Sequence, residues 1–139
     1  MADAISLRVI TPDSILIDAP ADSVRFPGLD GSIGVLPRHA HMVAALDAGP
    51  LSWDGPDGKG EMFVAGGFAE VRANTLRVVT QSGELVSDID VERAEASAER
   101  ARERLRVGGT ASKAGELDSL RAQAALRRAL QRMRMAQRR

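Results

Sequence analysis

The sequence contains no cysteine, and aromatic residues make up only 3% of its 139 residues. The absence of cysteine excludes disulfides, thiolate metal sites and a cysteine nucleophile, and it suits a reducing compartment. The four aromatic residues are too few for the stacking platforms that bind single-stranded nucleic acid. No apolar run approaches the roughly 18 residues that span a bilayer, and no basic segment followed by an apolar stretch opens the chain. We therefore expect neither a secreted nor an integral membrane protein.

The net charge of zero conceals an uneven distribution of charge along the chain. Up to Asp88 there are 6 Lys and Arg against 12 Asp and Glu, a net charge of −6. From Ile89 onward there are 13 against 7, a net charge of +6. An asymmetry of this size predicts two modules with different partners.

The acidic part of the chain consists of short apolar runs separated by turn residues. Ile5–Val9 alternates apolar and polar residues, which is the period of a half-buried strand. Similar runs recur up to Val86, and glycine or proline interrupts every window long enough for a helix. About ten short strands without an intervening helix predict an antiparallel sandwich or barrel. We expect Gly66-Gly67 to form a bulge or tight bend between strands.

From residue 87 onward the sequence has helical periodicity. Ser87 and Asp88 are typical helix N-caps, and Gly108-Gly109 is a typical helix end. One apolar stripe joins Val91, Ala94, Ala98, Ala101 and Leu105. After a flexible turn through Gly115, a second helix is expected from about Glu116 to Gln137, with an apolar face formed by Ala122, Leu126, Ala129, Met133 and Ala136. These helices predict an antiparallel hairpin that is only marginally stable, because alanine buries little apolar area.

The sequence contains no recognisable catalytic constellation. Its two histidines, His39 and His41, lack partners for a metal site or a Ser-His-Asp triad. The segment Gly108–Lys113 contains glycines and a lysine but not in the order of a phosphate-binding loop. We therefore predict that the protein is not an enzyme.

Arginines cluster on the second predicted helix. The cluster comprises Arg121, Arg127, Arg128, Arg132, Arg134, Arg138 and Arg139. It is explained either by a solvated helix face or by binding to an acidic protein surface or to phosphates, which guanidinium groups recognise in fork geometry. Nucleic acid is the weaker interpretation because the whole chain is neutral and its first part is acidic.

Several segments, in order, resemble the epsilon-subunit family of bacterial F-type ATP synthases. Phe26–Ala40 (FPGLDGSIGVLPRHA) resembles the family segment F-P-G-x-x-G-E-x-G-v-L-P-G-H-a. Ile89–Ala94 (IDVERA) matches the family signature [IL]-D-x-x-R-A. Further similarity is found in Val9–Asp13, Phe63–Val71 and Asn74–Val79. The sequence departs from the family where Ser32 replaces Glu, Arg38 replaces Gly and His41 replaces Pro.

The resemblance implies a fold and a place in a rotary motor. The implied fold is a sandwich of two five-stranded antiparallel sheets over residues 1–87, followed by an antiparallel two-helix hairpin over residues 88–139. The implied function is that of a non-catalytic central-stalk subunit, which couples proton-driven rotation to ATP synthesis and inhibits ATP hydrolysis through mobile C-terminal helices. Its implied location is the cytoplasmic face of the bacterial inner membrane, where only the complex attaches it.

The resemblance also assigns partners and sites residue by residue. Contact with the gamma subunit and the c-ring is implied for Gly31, Ser32, Gly34, Pro37 and His39. Contact with the catalytic beta and alpha subunits, when the hairpin is extended, is implied for Arg127, Arg128, Arg132 and Arg134. No cofactor is required, and the candidate regulatory ATP site comprises Glu84, Ile89, Asp90, Arg93, Ala94, Arg100, Arg128 and Arg132. Alternatively, Asp90 only caps the first helix and Arg93 is exposed.

A second function class stays open at this point. The chain is alternatively a stand-alone interaction module, whose arginine-rich hairpin binds an acidic partner or nucleic acid. A gene adjacent to that of the catalytic beta subunit would favour the rotor function over this alternative.

Overall fold

The computed structural model describes residues 4–107 and 113–139, and the chain divides between Leu85 and Val86 into two compact units. The predicted turn at Gly108–Ser112 lies outside the described residues. The first unit contains eight strands: β1 (Ile5–Ile10), β2 (Ile15–Ala21), β3 (Ser23–Gly28), β4 (Gly31–Val35), β5 (Met42–Gly55), β6 (Gly58–Arg72), β7 (Thr75–Val79) and β8 (Gly83–Leu85).

The strands form the two five-stranded layers of a sandwich. One layer has the order β2-β1-β7-β6-β5 and uses the second part of β6 and the first part of β5. The other has the order β8-β6-β5-β3-β4 and uses the remaining parts of the same two strands. The predicted sandwich is therefore confirmed. It has eight strands in place of the expected ten or so, because β5 and β6, which are 14 and 15 residues long, each contribute to both layers.

One strand pairing differs from the expected antiparallel arrangement. β1 and β7 run parallel, with Leu7 opposite Leu76, whereas the other six pairings are antiparallel. Tight hairpins impose antiparallel pairing on consecutive strands. Because five strands separate β1 from β7 in sequence, no hairpin fixes their relative direction.

The bend of β6 is at the predicted glycine pair. Gly66 and Gly67 have φ of 98° and 112°, values that residues with a Cβ rarely adopt. A Cβ at Gly67 would also collide with the carbonyl oxygen of Val79. The expectation of a tight bend at this position is confirmed.

The inward positions of both layers form the core of the sandwich. Ile5, Leu7 and Val9 are fully buried, as the alternating pattern predicts. They belong to a cluster that also contains Phe26, Leu51, Met62, Val71 and Leu76. This apolar core gives the strands and turns of the sandwich a rigid support.

The second unit consists of a 3-10 turn (Val86–Asp88) followed by α1 (Val91–Val107) and α2 (Lys113–Gln137). The helix start predicted at Ser87-Asp88 is wrong, because Asp90 is the N-cap: its Oδ1 accepts a hydrogen bond from Arg93 N at 3.1 Å. The turn expected to continue through Gly115 is wrong as well, since α2 already includes that residue. A glycine in the first helical turn costs less than one in the interior, because that turn frays.

Alanine dominates the buried positions of the hairpin. The buried residues are Ala94, Ala98 and Ala101 on α1 and Ala122, Ala129, Met135 and Ala136 on α2. Most of these residues lie on the predicted stripes. Met133 was predicted on the apolar face of the second helix, but it is only partly buried, whereas Met135, which was not predicted there, is fully buried. The end of α2 lies beside the residues that precede α1, so the helices are antiparallel.

Candidate functional site

The residues assigned to the ring contact lie on one strand and the turn that follows it. Gly31, Ser32 and Gly34 are exposed on β4, which pairs with β3 on one side only within the described part of the chain. Ser32 Oγ accepts a hydrogen bond from Arg25 on β3 at 3.3 Å. The structure therefore brings the first three of these residues together on an edge strand of the sandwich.

The turn at Leu36–His39 holds the last two residues of this set, Pro37 and His39. It is closed by a hydrogen bond from His39 N to the Leu36 carbonyl oxygen at 3.1 Å. Pro37 is its second residue and Arg38, with φ of 63°, its third. This is the type II pattern, in which glycine is favoured at the third position. The glycine of the family segment is thus accounted for by backbone conformation, and Arg38 adopts that conformation here.

Asn74 contacts this turn from a distant part of the sequence. Its Oδ1 accepts a hydrogen bond from Arg38 N at 2.7 Å, and its Nδ2 donates one to the Ala4 carbonyl oxygen at 3.0 Å. The sequence predicts that Ala73-Asn74 is a turn between two strands, and Asn74 also begins the family-like segment Asn74–Val79. Its position in a two-residue loop between strands was visible in the sequence, but its partner 36 residues away was not.

Exposed apolar side chains surround the same segment. Leu29, Leu36 and Val43 are 63%, 62% and 66% exposed. A groove of about 410 Å³ is lined by Leu29, Gly31, Ser32 and Val43 among others. None of these three residues was among the predicted contact residues, although an outward-facing valine in a predicted strand is a detectable signal.

The residues of the candidate ATP site are distributed over both units. Ile89, Asp90, Arg93 and Ala94 lie at the start of α1, where Ile89 and Ala94 are 3% exposed and Arg93 is exposed. Glu84 belongs to β8 in the other unit. The Asp90 carboxylate caps α1 through Arg93 N, and the Asp90 carbonyl accepts from Ala94 N at 3.0 Å. One carboxylate oxygen is therefore occupied in holding the helix start.

The remaining arginines of this site are on two different helices. Arg100 is exposed on α1 and donates to Ser97 Oγ at 3.0 Å. Arg128 and Arg132 lie on α2, where both are partly buried. Arg132 is engaged in an interaction within the chain, as are Arg127 and Glu84.

Two of the four arginines assigned to the catalytic subunit, Arg127 and Arg134, line an apolar groove on α2. The groove measures about 540 Å³, and Leu120, Leu126, Leu130, Arg127 and Arg134 contribute to its lining. Leu120 is 60% exposed and Leu130 is 37% exposed. This face of α2 therefore combines exposed leucines with guanidinium groups, whereas Arg128 and Arg132 do not line the groove.

Within 4–107 and 113–139, no three His, Cys, Asp or Glu side chains are grouped as a metal site requires. Neither α1 nor α2, over its described residues, combines the length and apolar character needed to cross a membrane.

Family comparisons match almost the whole chain. Residues 4–86 match the model of the ATP synthase, Delta/Epsilon chain, beta-sandwich domain. Residues 87–137 match the model of the ATP synthase, Delta/Epsilon chain, long alpha-helix domain. The two matches meet at the position where strands give way to helices.

Curated relatives carry the name ATP synthase epsilon chain. The protein of Carboxydothermus hydrogenoformans is 44% identical over 106 residues, which cover 76% of this chain and 78% of the relative. That of Symbiobacterium thermophilum is 46% identical over 107 residues and 76% of each chain. That of Desulforamulus reducens is 37% identical over 118 residues, which cover 85% of this chain and 86% of the relative.

Solved structures share the fold at lower identity. A chain of the mitochondrial ATP synthase of Euglena gracilis has a TM-score of 0.75 and 22% identity, with 94% of this chain and 79% of that chain covered. A chain of the Tetrahymena thermophila mitochondrial ATP synthase has a TM-score of 0.65 and 13% identity, with coverage of 92% and 95%. From the family matches and the identity to curated relatives, this chain belongs to the delta/epsilon family of ATP synthase, as a non-catalytic epsilon subunit.

Proposed function

We propose that this subunit works in the central stalk of an F-type ATP synthase, with its sandwich bound to the gamma subunit and the c-ring. The observation that carries the proposal is the exposure of Leu29, Leu36 and Val43, which are all more than 60% exposed. Exposed apolar patches mark interaction sites, and Leu29 and Val43 line one groove together. Leu29 and Val43 flank the segment Gly31–His39, to which the family resemblance assigns the ring contact, and Leu36 lies within it.

The same proposal specifies the location of the subunit. Binding to the stalk and the ring keeps it at the cytoplasmic face of the bacterial inner membrane as a peripheral part of the F1 complex. The proposal needs no helix of its own in the bilayer. Residues 1–87 and 88–139 are proposed to act as separate domains, which is supported by the compact units that meet between Leu85 and Val86.

The helical domain is proposed to inhibit ATP hydrolysis by contact with the catalytic alpha and beta subunits. The segment from Ile89 onward has a net charge of +6, from 13 Lys and Arg against 7 Asp and Glu. Arg127, Arg128, Arg132 and Arg134 are proposed to pair with carboxylates of the catalytic subunit. The mainly alanine burial of the hairpin supports a domain that rearranges, because such packing contributes little apolar area.

A regulatory ATP site is the finer part of the proposal. The start of α1 would present Asp90 and Arg93, and Arg128 and Arg132 of α2 would add positive charge for the phosphates. The role of Asp90 as N-cap is compatible with this site, because a carboxylate has a second oxygen that can accept a hydrogen bond. No other cofactor is required.

The experiment that tests the stalk function is binding to a purified gamma–c-ring complex. The wild-type subunit should bind, and Leu36→Asp should weaken binding about tenfold or more, because it replaces an exposed apolar side chain of the proposed contact with a charge. Ile15→Asp is the matched control, since Ile15 is 59% exposed on β2, outside the proposed contact segment. If the wild-type subunit does not bind, the proposed contact with the gamma–c-ring complex is wrong. If Ile15→Asp weakens binding as much as Leu36→Asp, Leu36 has no special role in that contact.

A further inference from the structure

The turn at Leu36–His39 has an unfavourable backbone conformation at Arg38. Arg38 has φ of 63°, a left-handed value that is unfavourable for a residue with a Cβ. Glycine usually occupies this position of a type II turn. An acceptor outside the turn that bonds the Arg38 amide would stabilise this conformation.

Asn74 makes that interaction. The hydrogen bond from Arg38 N to Asn74 Oδ1 is 2.7 Å long, at the short end of the range for N–H···O bonds. In a type II turn the central peptide is flipped relative to type I, so the amide of the third residue points in a defined direction. An acceptor placed in that direction stabilises the flipped peptide, and Asn74 Oδ1 is such an acceptor.

The position of Asn74 is itself tightly fixed. Ala73 and Asn74 have φ of 49° and 57° and form the two-residue loop between β6 and β7, as in a type I′ turn. The Asn74 carbonyl oxygen accepts a hydrogen bond from Ser6 N at 3.1 Å, and Asn74 Nδ2 donates to the Ala4 carbonyl oxygen at 3.0 Å. Asn74 is thus fastened to the N-terminal strand by two bonds, which leaves its Oδ1 in a fixed place for Arg38.

We propose that Asn74 is the positioning residue of the ring-binding turn: its Oδ1 holds Arg38 N and so fixes how Leu36 and His39 are presented to the partner. The inference rests on the proposed function for the importance of the turn, but the Asn74–Arg38 contact is independent of it. Leu36 is 62% exposed, so a change in the turn would redirect an apolar side chain of the proposed contact.

Two variants separate positioning from general stability. Asn74→Gly keeps the positive φ that the I′ turn requires but removes both side-chain hydrogen bonds. Asn74→Asp keeps an oxygen for Arg38 N, yet it loses the donor to the Ala4 carbonyl and places a carboxylate beside it. If Asn74 has only a structural role, the loss of partner binding in each variant should be proportional to its loss of folding stability.

The test combines amide exchange at Arg38 with binding to the gamma–c-ring complex. In the wild-type protein, the Arg38 amide should be protected from hydrogen exchange and should show a through-bond coupling to the Asn74 side-chain carbonyl in NMR spectra. Asn74→Gly should speed exchange at Arg38 at least tenfold and weaken partner binding at least fivefold. Asn74→Asp should retain protection and binding within about twofold, although its denaturation midpoint falls.

Failure of the positioning role of Asn74 can be distinguished from failure of the proposed stalk function. If the wild-type subunit fails to bind the complex, the proposed contact with that complex is wrong, while exchange at Arg38 still tests the Asn74–Arg38 contact. If the wild-type subunit binds and Asn74→Gly binds equally well, the positioning role is overturned. It is also overturned if the wild-type Arg38 amide is unprotected, a measurement that needs no variant to fold.

Discussion

Arg139 donates a hydrogen bond from Nη1 to the carbonyl oxygen of Ile89 at 3.2 Å, across 50 residues of sequence. The same nitrogen lies 3.1 Å from the carbonyl oxygen of Val86 and 3.4 Å from that of Ser87. These carbonyls belong to the 3-10 turn and the residue that follows it, just before α1. The end of α2 is therefore fastened to the start of α1 in a hairpin that buries mainly alanine.

Removal of this contact should destabilise the hairpin. Arg139→Ala loses a guanidinium that bonds carbonyl groups, and we expect the free energy of hairpin unfolding to fall by about 1 kcal/mol. The sandwich should be unaffected, because Arg139 and its three partners all belong to the second unit. Circular dichroism at 222 nm reports the helices, and the fluorescence of Trp53 reports the sandwich that contains it.

Arg134→Ala is the matched control for charge. It removes the same charge from the last turn of α2, where a cation interacts favourably with the helix dipole. If Arg134→Ala lowers the free energy of hairpin unfolding less than Arg139→Ala does, the difference is due to the bonds that Arg139 makes to the carbonyl groups. Equal losses would mean that Arg139 acts only through its charge.

The bend at Gly67 should tolerate no side chain. Gly67→Ala combines a left-handed φ of 112° with a collision between the new Cβ and the Val79 carbonyl oxygen. We expect a loss of about 3 kcal/mol or more in the free energy of unfolding of the sandwich, measured by urea denaturation with Trp53 fluorescence.

Gly58→Ala separates strain from collision. Gly58 has a similar φ of 120°, but no atom of the described residues lies within 4 Å of an added Cβ. Gly58→Ala should lower the free energy of unfolding by about 1–3 kcal/mol, the typical cost of a strained backbone alone. If the two variants lose the same stability, the collision at Val79 is relieved by movement of β6 or β7.

ATP binding should depend on arginines at both helices of the hairpin. Arg93→Ala and Arg132→Ala should each weaken ATP binding by about 1.5–3 kcal/mol, because each removes a charge-assisted contact. Asp90→Asn keeps a good N-cap, so a lower affinity for ATP in that variant would be caused by loss of the carboxylate charge and not by fraying of α1. Isothermal titration calorimetry measures all three.

Arg104→Ala is the control for general loss of positive charge on α1, since Arg104 lies outside the candidate site. It should change the affinity for ATP by less than about twofold if only long-range charge is lost, because surface charges beyond a Debye length are screened. Wild-type protein that gives no heat with millimolar ATP would exclude the nucleotide site in this subunit.

Features with a local physical cause were predictable from the sequence. The bend at Gly66-Gly67 follows from the backbone freedom of glycine, and the burial of Ala94, Ala98 and Ala101 follows from helical period. The candidate ring contact could be proposed from sequence because its residues lie within one short stretch of the chain, where a motif can be recognised.

Features that depend on distant contacts were not predictable. The bond between Arg38 and Asn74 spans 36 residues and requires the register of the whole sheet. The parallel pairing of β1 with β7 has the same cause, because no short connection constrains it. The contact of Arg139 with Ile89 depends on where α2 ends relative to α1, and periodicity gives no such distance.

Inhibition of hydrolysis should require several arginines of α2 together. Arg127, Arg128, Arg132 and Arg134 are proposed to pair with carboxylates of the catalytic subunit, and individual exposed pairs contribute only about 0.2–1 kcal/mol. Single alanine variants should therefore relieve inhibition little, whereas the quadruple variant should relieve most of it. Inhibition should also weaken with salt, because the Debye length falls from about 10 Å at 0.1 M to about 3 Å at 1 M.

The α2 groove supplies the competing explanation, because Leu120 and Leu130 are exposed beside Arg127 and Arg134. An apolar contact through these leucines would be insensitive to salt and would be lost in a Leu120→Ala, Leu130→Ala double variant. ATPase activity of the reconstituted enzyme should be compared for this variant, the quadruple arginine variant and a truncation after Ser87. Relief by truncation and by the arginine variant supports charge pairing; relief by truncation and by the leucine variant alone supports apolar contact. If truncation leaves the activity unchanged, the hairpin does not inhibit hydrolysis, and neither contact has that role.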